Sequence, residues 1–189
     1  GNKELIEIIG QAIDDEYIKE LTTISLSPEA ISRHKDMKIV YTPIHGTGVK
    51  LVPAALKAYG FTNIIHVPEQ DVVSGDFPTV ISPNPEEPAA LAMAVEKAKE
   101  TDAELVMASD PDADRVGAAV KNNEGEWVLL NGNQTALMFV YYLITRWKEL
   151  GKINGKEYIV KTIVTTETIK TIAERNGVEI YDVYTLSLI

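Results

Sequence analysis

Apolar side chains at Leu5, Ile9, Ala12 and Ile13, and then at Tyr17, Leu21 and Ile24, recur at three- to four-residue spacing. That period predicts an amphipathic helix over residues 3–25, closed by Ser27-Pro28. The period then shortens. Lys38 to Thr42 predicts a strand, which runs through His45-Gly46-Thr47-Gly48 into a helix ending at Tyr59-Gly60. Pro53 fits that helix if it lies in the first turn. Asn63 to Val67 predicts a second strand. Pro68 to Pro88 holds five of the nine prolines and predicts a long, irregular loop. Ala89 to Glu100 predicts a helix, and Glu104 to Ala108 a buried strand. Val116 to Val120 and Glu126 to Leu130 flank Asn122-Asn123-Glu124-Gly125, which predicts a hairpin. Asn131 to Leu150 predicts a long helix, with the apolar run Ala136 to Ile144 as its buried face.

Gly151 to Gly155 is the expected linker between a domain over residues 1–150 and a shorter one over 151–189. Past the linker, strand Tyr158 to Val164, helix Glu167 to Asn176 and strand Glu179 to Val183 predict a βαβ unit. Alternating strands and helices with one hairpin predict an α/β, three-layer α/β/α domain. Its sheet should be mixed and mostly parallel, and a truncated βαβ unit comes after it.

Composition narrows the functions open to such a fold. Cysteine is absent, which excludes disulfides, thiolate catalysis and cysteine-bound zinc and fits a cytoplasmic protein. A formal net charge of -10 argues against partners such as nucleic acid or an anionic membrane surface. No apolar run is long enough to span a bilayer, and Gly1-Asn2-Lys3-Glu4 does not open a signal peptide.

The chemistry concentrates in Ser109-Asp110-Pro111-Asp112-Ala113-Asp114-Arg115, at the carboxyl end of a buried strand. Ligands of open α/β sheets bind at such ends. Three carboxylates in five residues repel one another, and Arg115 alone cannot neutralise them. A hard divalent cation can. An EF-hand counted from Asp110 needs Gly at position six and Glu at twelve, where the chain has Arg115 and Lys121. An aspartyl-nucleophile phosphatase with Asp110 as nucleophile expects Thr or Val where Asp114 stands, and is kept as the alternative. A non-catalytic Ca²⁺-binding or interaction module is the third possibility. His45-Gly46-Thr47-Gly48 is a possible phosphate cradle at a helix start. It is equally readable as a structural turn, since Leu51 replaces the third glycine of a dinucleotide fingerprint. Asn133 and Gln134 are expected to serve the helix start. Lys161 falls inside a strand pattern and is assigned no role.

The string Asp110-Pro111-Asp112-Ala113-Asp114-Arg115 resembles the metal loop Asp-Gly-Asp-Gly-Asp-Arg of the α-D-phosphohexomutase family, with Pro111 and Ala113 in place of glycines. Four further segments resemble the same family, in the family's order. They are Tyr41 to Gly48, Gly75-Asp76-Phe77-Pro78 with Pro83-Asn84-Pro85-Glu86, Asn131 to Gln134, and Val164 to Glu167. The resemblance implies domain II over residues 1–150 and the beginning of domain III over 151–189. It implies one Mg²⁺ on Asp110, Asp112 and Asp114, with Arg115 and, more weakly, His45 as phosphate-binding residues.

It also implies a parent enzyme that moves phosphate between C1 and C6 of a hexose through a phosphoserine and a bisphosphate. The partners it implies are the hexose phosphate and the parent's other domains. The family's serine string Thr-Ala-Ser-His-Asn-Pro and its sugar-recognition string Gly-Glu-x-Ser-Gly do not occur. The chain is therefore expected to carry no catalytic residue of its own and to be inactive alone. The tail Leu186-Ser187-Leu188 departs from the family's Thr-Gly-Phe-Lys.

Overall fold

The computed structural model describes residues 3–185 as two compact units, divided between Leu129 and Leu130. The tail from Leu186 onward lies outside the described residues. No helix among the described residues is long and apolar enough to cross a membrane.

The first unit is built on the sheet β2-β1-β3-β4-β5, with β1 Lys38–Thr42, β2 Asn63–His66, β3 Leu105–Ser109, β4 Val116–Lys121 and β5 Trp127–Leu130. β1 pairs in parallel with β2 and β3, and β3 pairs antiparallel with β4, Ser109 facing Val116. A turn at Asn122 joins β4 to β5, its side-chain Oδ1 accepting from the N–H groups of Glu124 and Glu126.

The connections run β1–α3–β2 and then β2–α4–β3, with α3 Gly48–Tyr59 and α4 Pro88–Thr101. In the order 2-1-3 these two crossovers travel in opposite directions. Right-handed connections therefore put their helices on opposite faces. Val40, Val106, Ala108 and Ala119 share a dry core with Ala90, Leu91, Ala94 and Ala98 of α4. The small α4 side chains let that helix sit close to the strands. The alternate positions of the pleat, Ile39 and Tyr41, are buried on the other face, where the first turn of α3 lies against Tyr41 and Ser109. Tyr41 Oη and Ser109 Oγ are 2.8 Å apart. Burial pushes the Tyr41 phenol up to about 12, so it stays protonated as part of that contact. The mixed, mostly parallel three-layer architecture is the one the alternating pattern predicts.

Four expectations are corrected. The helix expected over residues 3–25 is broken. A single 3-10 turn covers Lys3–Leu5, and α1, Gly10–Thr23, starts where Gly10 takes a left-handed φ of 64°. α1 lies along α3, with Tyr59 Oη donating to the Leu21 carbonyl at 2.7 Å. α2, Pro28–Arg33, comes next, with Pro28 in its first turn. Pro53 lies at the sixth residue of α3, past the first turn, and is buried there. The apolar run Ala136 to Ile144 is not a buried face: Met138, Phe139, Tyr141, Tyr142 and Leu143 are exposed and Ile144 is buried.

The fourth correction concerns where the chain divides. The units separate before α5, Gly132–Glu149, and not at Gly151 to Gly155. In the second unit Ile144 of α5 packs with Val140, Ile153, Ile159, Ala173 and Val178, so α5 shares a core with the residues C-terminal to it. That unit holds the parallel pair β6 Tyr158–Thr162 and β7 Glu179–Val183, connected through α6 Thr168–Arg175. Asn131 and Gln134 form the capping box that starts α5, and Asn133 Oδ1 accepts from the Thr166 N–H at 2.9 Å. Lys161 is 3% exposed at its side chain and bonded to Glu167 at 2.7 Å and Asp182 at 2.6 Å, a structural ion pair.

Candidate metal centre

β1 and β3 are neighbours whose outgoing connections leave in different directions. Their carboxyl ends are thus the switch point of the sheet, the place where open α/β sheets bind their ligands. The loop after β3 carries the acids, and the loop after β1 carries His45, Gly46 and Thr47.

The acidic loop is closed on itself by Arg115. Asp110 is 1% exposed. Its Oδ1 accepts from the Arg115 backbone N–H at 2.9 Å and its Oδ2 from Arg115 Nε at 2.8 Å. The Asp110 carbonyl accepts from the Ala113 N–H at 3.0 Å, which turns the chain between them. Burial alone pushes the Asp110 carboxyl upward, but the Arg115 backbone and side-chain bonds outweigh it and hold the group at about 2. Asp112 and Asp114 are exposed, and one oxygen from each of the three acids lies within 4.8 Å of the others. The hydrogen bond that Asp114 shares with Asp110, and the charges of Asp112 and Asp110, push its carboxyl upward. Arg115 is pushed upward in turn, chiefly by its bond to Asp110.

This donor set fits a divalent cation. It offers three hard oxygens and no nitrogen or sulfur, which suits Mg²⁺ over softer ions. Its residual repulsion is the kind a cation removes. Asp110 is also poorly suited to nucleophilic attack, since it is buried and both oxygens are held by Arg115.

Ala113 takes a left-handed φ of 62°, a conformation glycine adopts without strain. Ala113→Gly is expected to relieve roughly 1–2 kcal/mol of strain and to lose about 0.4–1 kcal/mol to the looser unfolded chain. The net result is a small gain in stability, measurable by urea denaturation of metal-free protein.

His45, the weaker phosphate-binding candidate, has its ring engaged within the fold. It is 1% exposed, with Nδ1 2.8 Å from the Val72 carbonyl and Nε2 2.8 Å from Thr79 Oγ1. A carbonyl only accepts, so Nδ1 carries a proton, and both nitrogens are spent inside the fold. The phosphate-cradle reading of this loop is likewise corrected. The N–H groups of His45, Gly46 and Thr47 donate to Gln70, Pro43 and Pro111 carbonyls.

Sequence reasoning placed Thr47 in a possible phosphate cradle and missed its contact with the acidic loop. Thr47 donates to the Pro111 carbonyl twice, from its backbone N–H at 2.8 Å and its hydroxyl at 3.1 Å. It also missed Gln70, which is buried and ties Thr42, Thr79 and the Ala90 carbonyl together. No local pattern marks either, because their partners lie far along the chain.

A doubly wound sheet that gathers three carboxylates at its switch point defines an α/β domain whose acids could hold a divalent cation. Comparison with known proteins names the family. Residues 15–125 match the family description "Phosphoglucomutase/phosphomannomutase, alpha/beta/alpha domain II", and the chain belongs to that family.

A probable phosphoribomutase of Schizosaccharomyces pombe is 40% identical over 144 residues, 76% of this chain and 24% of its own length. A phosphoglucomutase of Staphylococcus saprophyticus is 33% identical over 180 residues, 95% of this chain and 31% of its own. The chain thus spans about a quarter to a third of the length of the curated relatives it matches. Among solved structures, a phosphoglucomutase/phosphomannomutase family protein of Burkholderia thailandensis covers 92% of this chain and 33% of its own, with a TM-score of 0.70 and 22% identity. The N-acetylphosphoglucosamine mutase of Aspergillus fumigatus, solved with GlcNAc-6P and magnesium, covers 89% of this chain and 34% of its own, with a TM-score of 0.59 and 16% identity. These structural likenesses show the fold.

Proposed function

We propose that this chain is the metal-carrying part of a phosphomutase that interconverts a hexose 1-phosphate and a hexose 6-phosphate through a phosphoserine and a sugar bisphosphate. The observation that carries this reading is the trio Asp110, Asp112 and Asp114, whose oxygens converge within 4.8 Å at the carboxyl end of β3. Family membership and the names of the relatives support it.

Asp110, Asp112 and Asp114 would hold one Mg²⁺, which supplies Lewis-acid stabilisation of charge on a transferring phosphoryl group. Asp110 is the fixed member of the set, locked in place by Arg115 and ionised across the physiological range. Asp112 and Asp114 are exposed and close around it. The Arg115 side chain is 55% exposed although its Nε is bonded to Asp110. The outer edge of its guanidinium would meet phosphoryl oxygens in the planar fork that suits them. The serine and the sugar-recognition groups would come from other domains of the parent protein, with residues 130–189 beginning the next one.

The test is calorimetric titration of this chain with Mg²⁺, together with a coupled assay on glucose 1-phosphate. Weak Mg²⁺ binding that Asp112→Asn removes, with no mutase turnover, is the expected result. Mutase turnover by this chain alone would refute the division of labour. Phosphate release with beryllofluoride capture at Asp110 would replace the mutase reading with a phosphatase.

A further inference from the structure

The feature that the metal reading leaves unexplained is the strap after β1. Ile44 and His45 both take left-handed backbone conformations, with φ of 46° and 64°. For a buried β-branched residue such as Ile44 this is an uncommon and strained choice. The surrounding structure imposes it. His45 is latched to the proline-rich loop through Val72 and Thr79, its N–H donates to the Gln70 carbonyl, and its own carbonyl accepts from the Ser74 N–H.

The strained strap delivers two residues against Pro111. At Gly46 the backbones approach so closely that a Cβ would lie 2.4 Å from Pro111 Cα. At Thr47 the N–H and the hydroxyl both donate to the Pro111 carbonyl. Thr47 occupies the N-cap position of α3, where a threonine hydroxyl ordinarily accepts a hydrogen bond from the first turn of its helix. Here it makes no cap bond and reaches across to the acidic loop instead.

We propose that Thr47 is a positioning residue for the metal loop, acting through the Pro111 carbonyl, and that the strap latched by His45 exists to present it. The inference rests on the reading of Asp110, Asp112 and Asp114 as metal ligands. The Pro111 carbonyl belongs to the peptide that leads into Asp112. Arg115 holds Asp110 on one side of that peptide, and the proline ring restricts the backbone between them. With the carbonyl captured by Thr47, the segment joining the buried ligand to the first exposed one is fixed at both ends. The cluster is then ordered before a cation arrives, and less ordering remains for the cation to impose.

The experiment titrates the metal-free chain and three variants with Mg²⁺ by calorimetry and with Mn²⁺ by the loss of its free-ion EPR signal. Thr47→Val removes the hydroxyl and keeps the shape and the backbone bond. It is expected to bind both ions about two- to tenfold more weakly, the range of one hydrogen bond. Its metal-free melting temperature should be nearly unchanged, because Thr47 is exposed. Thr47→Ser is expected to restore affinity. Asp112→Asn is expected to bind neither ion.

Equal affinity in wild type and Thr47→Val would overturn the positioning role while leaving the metal reading intact. A fall in metal-free melting temperature that Thr47→Ser does not reverse would also overturn it, as a role in folding only. No binding by the wild-type chain would sink the metal reading and this inference with it.

Discussion

Gly46→Ala is expected to weaken cation binding sharply and to destabilise the first unit, although it adds only a methyl group. A Cβ at Gly46 would meet three backbone atoms of Pro111 at 2.4, 2.6 and 2.8 Å. None belongs to a side chain that can rotate away. Either the acidic loop moves outward or the strap does, and the strap is pinned by His45 and Gln70. Overpacking of this kind costs about 1–3 kcal/mol. The displacement also breaks the Thr47 bonds to the Pro111 carbonyl, so cation affinity should fall further than in Thr47→Val. Gly75→Ala is the control, since nothing lies within 4 Å of a Cβ there and its φ is not left-handed. Thermal melts and Mn²⁺ titrations of the two variants side by side should separate them. Equal behaviour would show that the loop slides freely past β1.

Asp110→Asn is expected to combine loss of cation binding with a real loss of stability, whereas Asp112→Asn should lose binding alone. Both Asp110 oxygens accept from N–H groups of Arg115. An asparagine must turn its NH₂ toward one of those donors, whichever way it flips, and so lose one of the two hydrogen bonds together with the charge pairing to Arg115. That costs about 1–3 kcal/mol, visible as a drop of several degrees in melting temperature. Asp112 is exposed, so its melt should stay close to wild type. The pH dependence arises from the same contacts. The Asp110 carboxyl lies at about 2 in the fold against an ordinary 3.8. Its contribution to stability is therefore complete above the ordinary value and is lost as the pH falls through the folded one. Asp110→Asn should flatten the acid limb of the stability curve. An unchanged limb would mean that the Arg115 bonds do not persist in solution.

Much of the site is legible locally. Lys38 to Thr42, Glu104 to Ala108 and the hairpin around Asn122 announce themselves by β-branched runs and turn residues, and each forms within a residue or two of its expected bounds. The acidic loop is legible because mutual repulsion makes three neighbouring carboxylates costly without a cation. His45 invites too generous a reading. Its chemistry suits a phosphate, and only burial with both nitrogens occupied shows it to be a strut. The apolar run on α5 invites too simple a one. Hydrophobic spacing reports that a face is apolar and says nothing of whether this chain supplies its cover.

The sequence by itself determined the strands, the order of crossovers and hairpin, and the set of oxygens offered to a cation. Those depend on neighbours within a few residues. Tertiary structure alone decided that the β1 strap and the β3 loop touch at Gly46, Thr47 and Pro111, since that contact joins residues 64 apart along the chain. It also decided which acid is buried. Asp110 looks like Asp112 and Asp114 in the sequence, and it becomes the fixed carboxylate because the end of β3 draws it under Arg115.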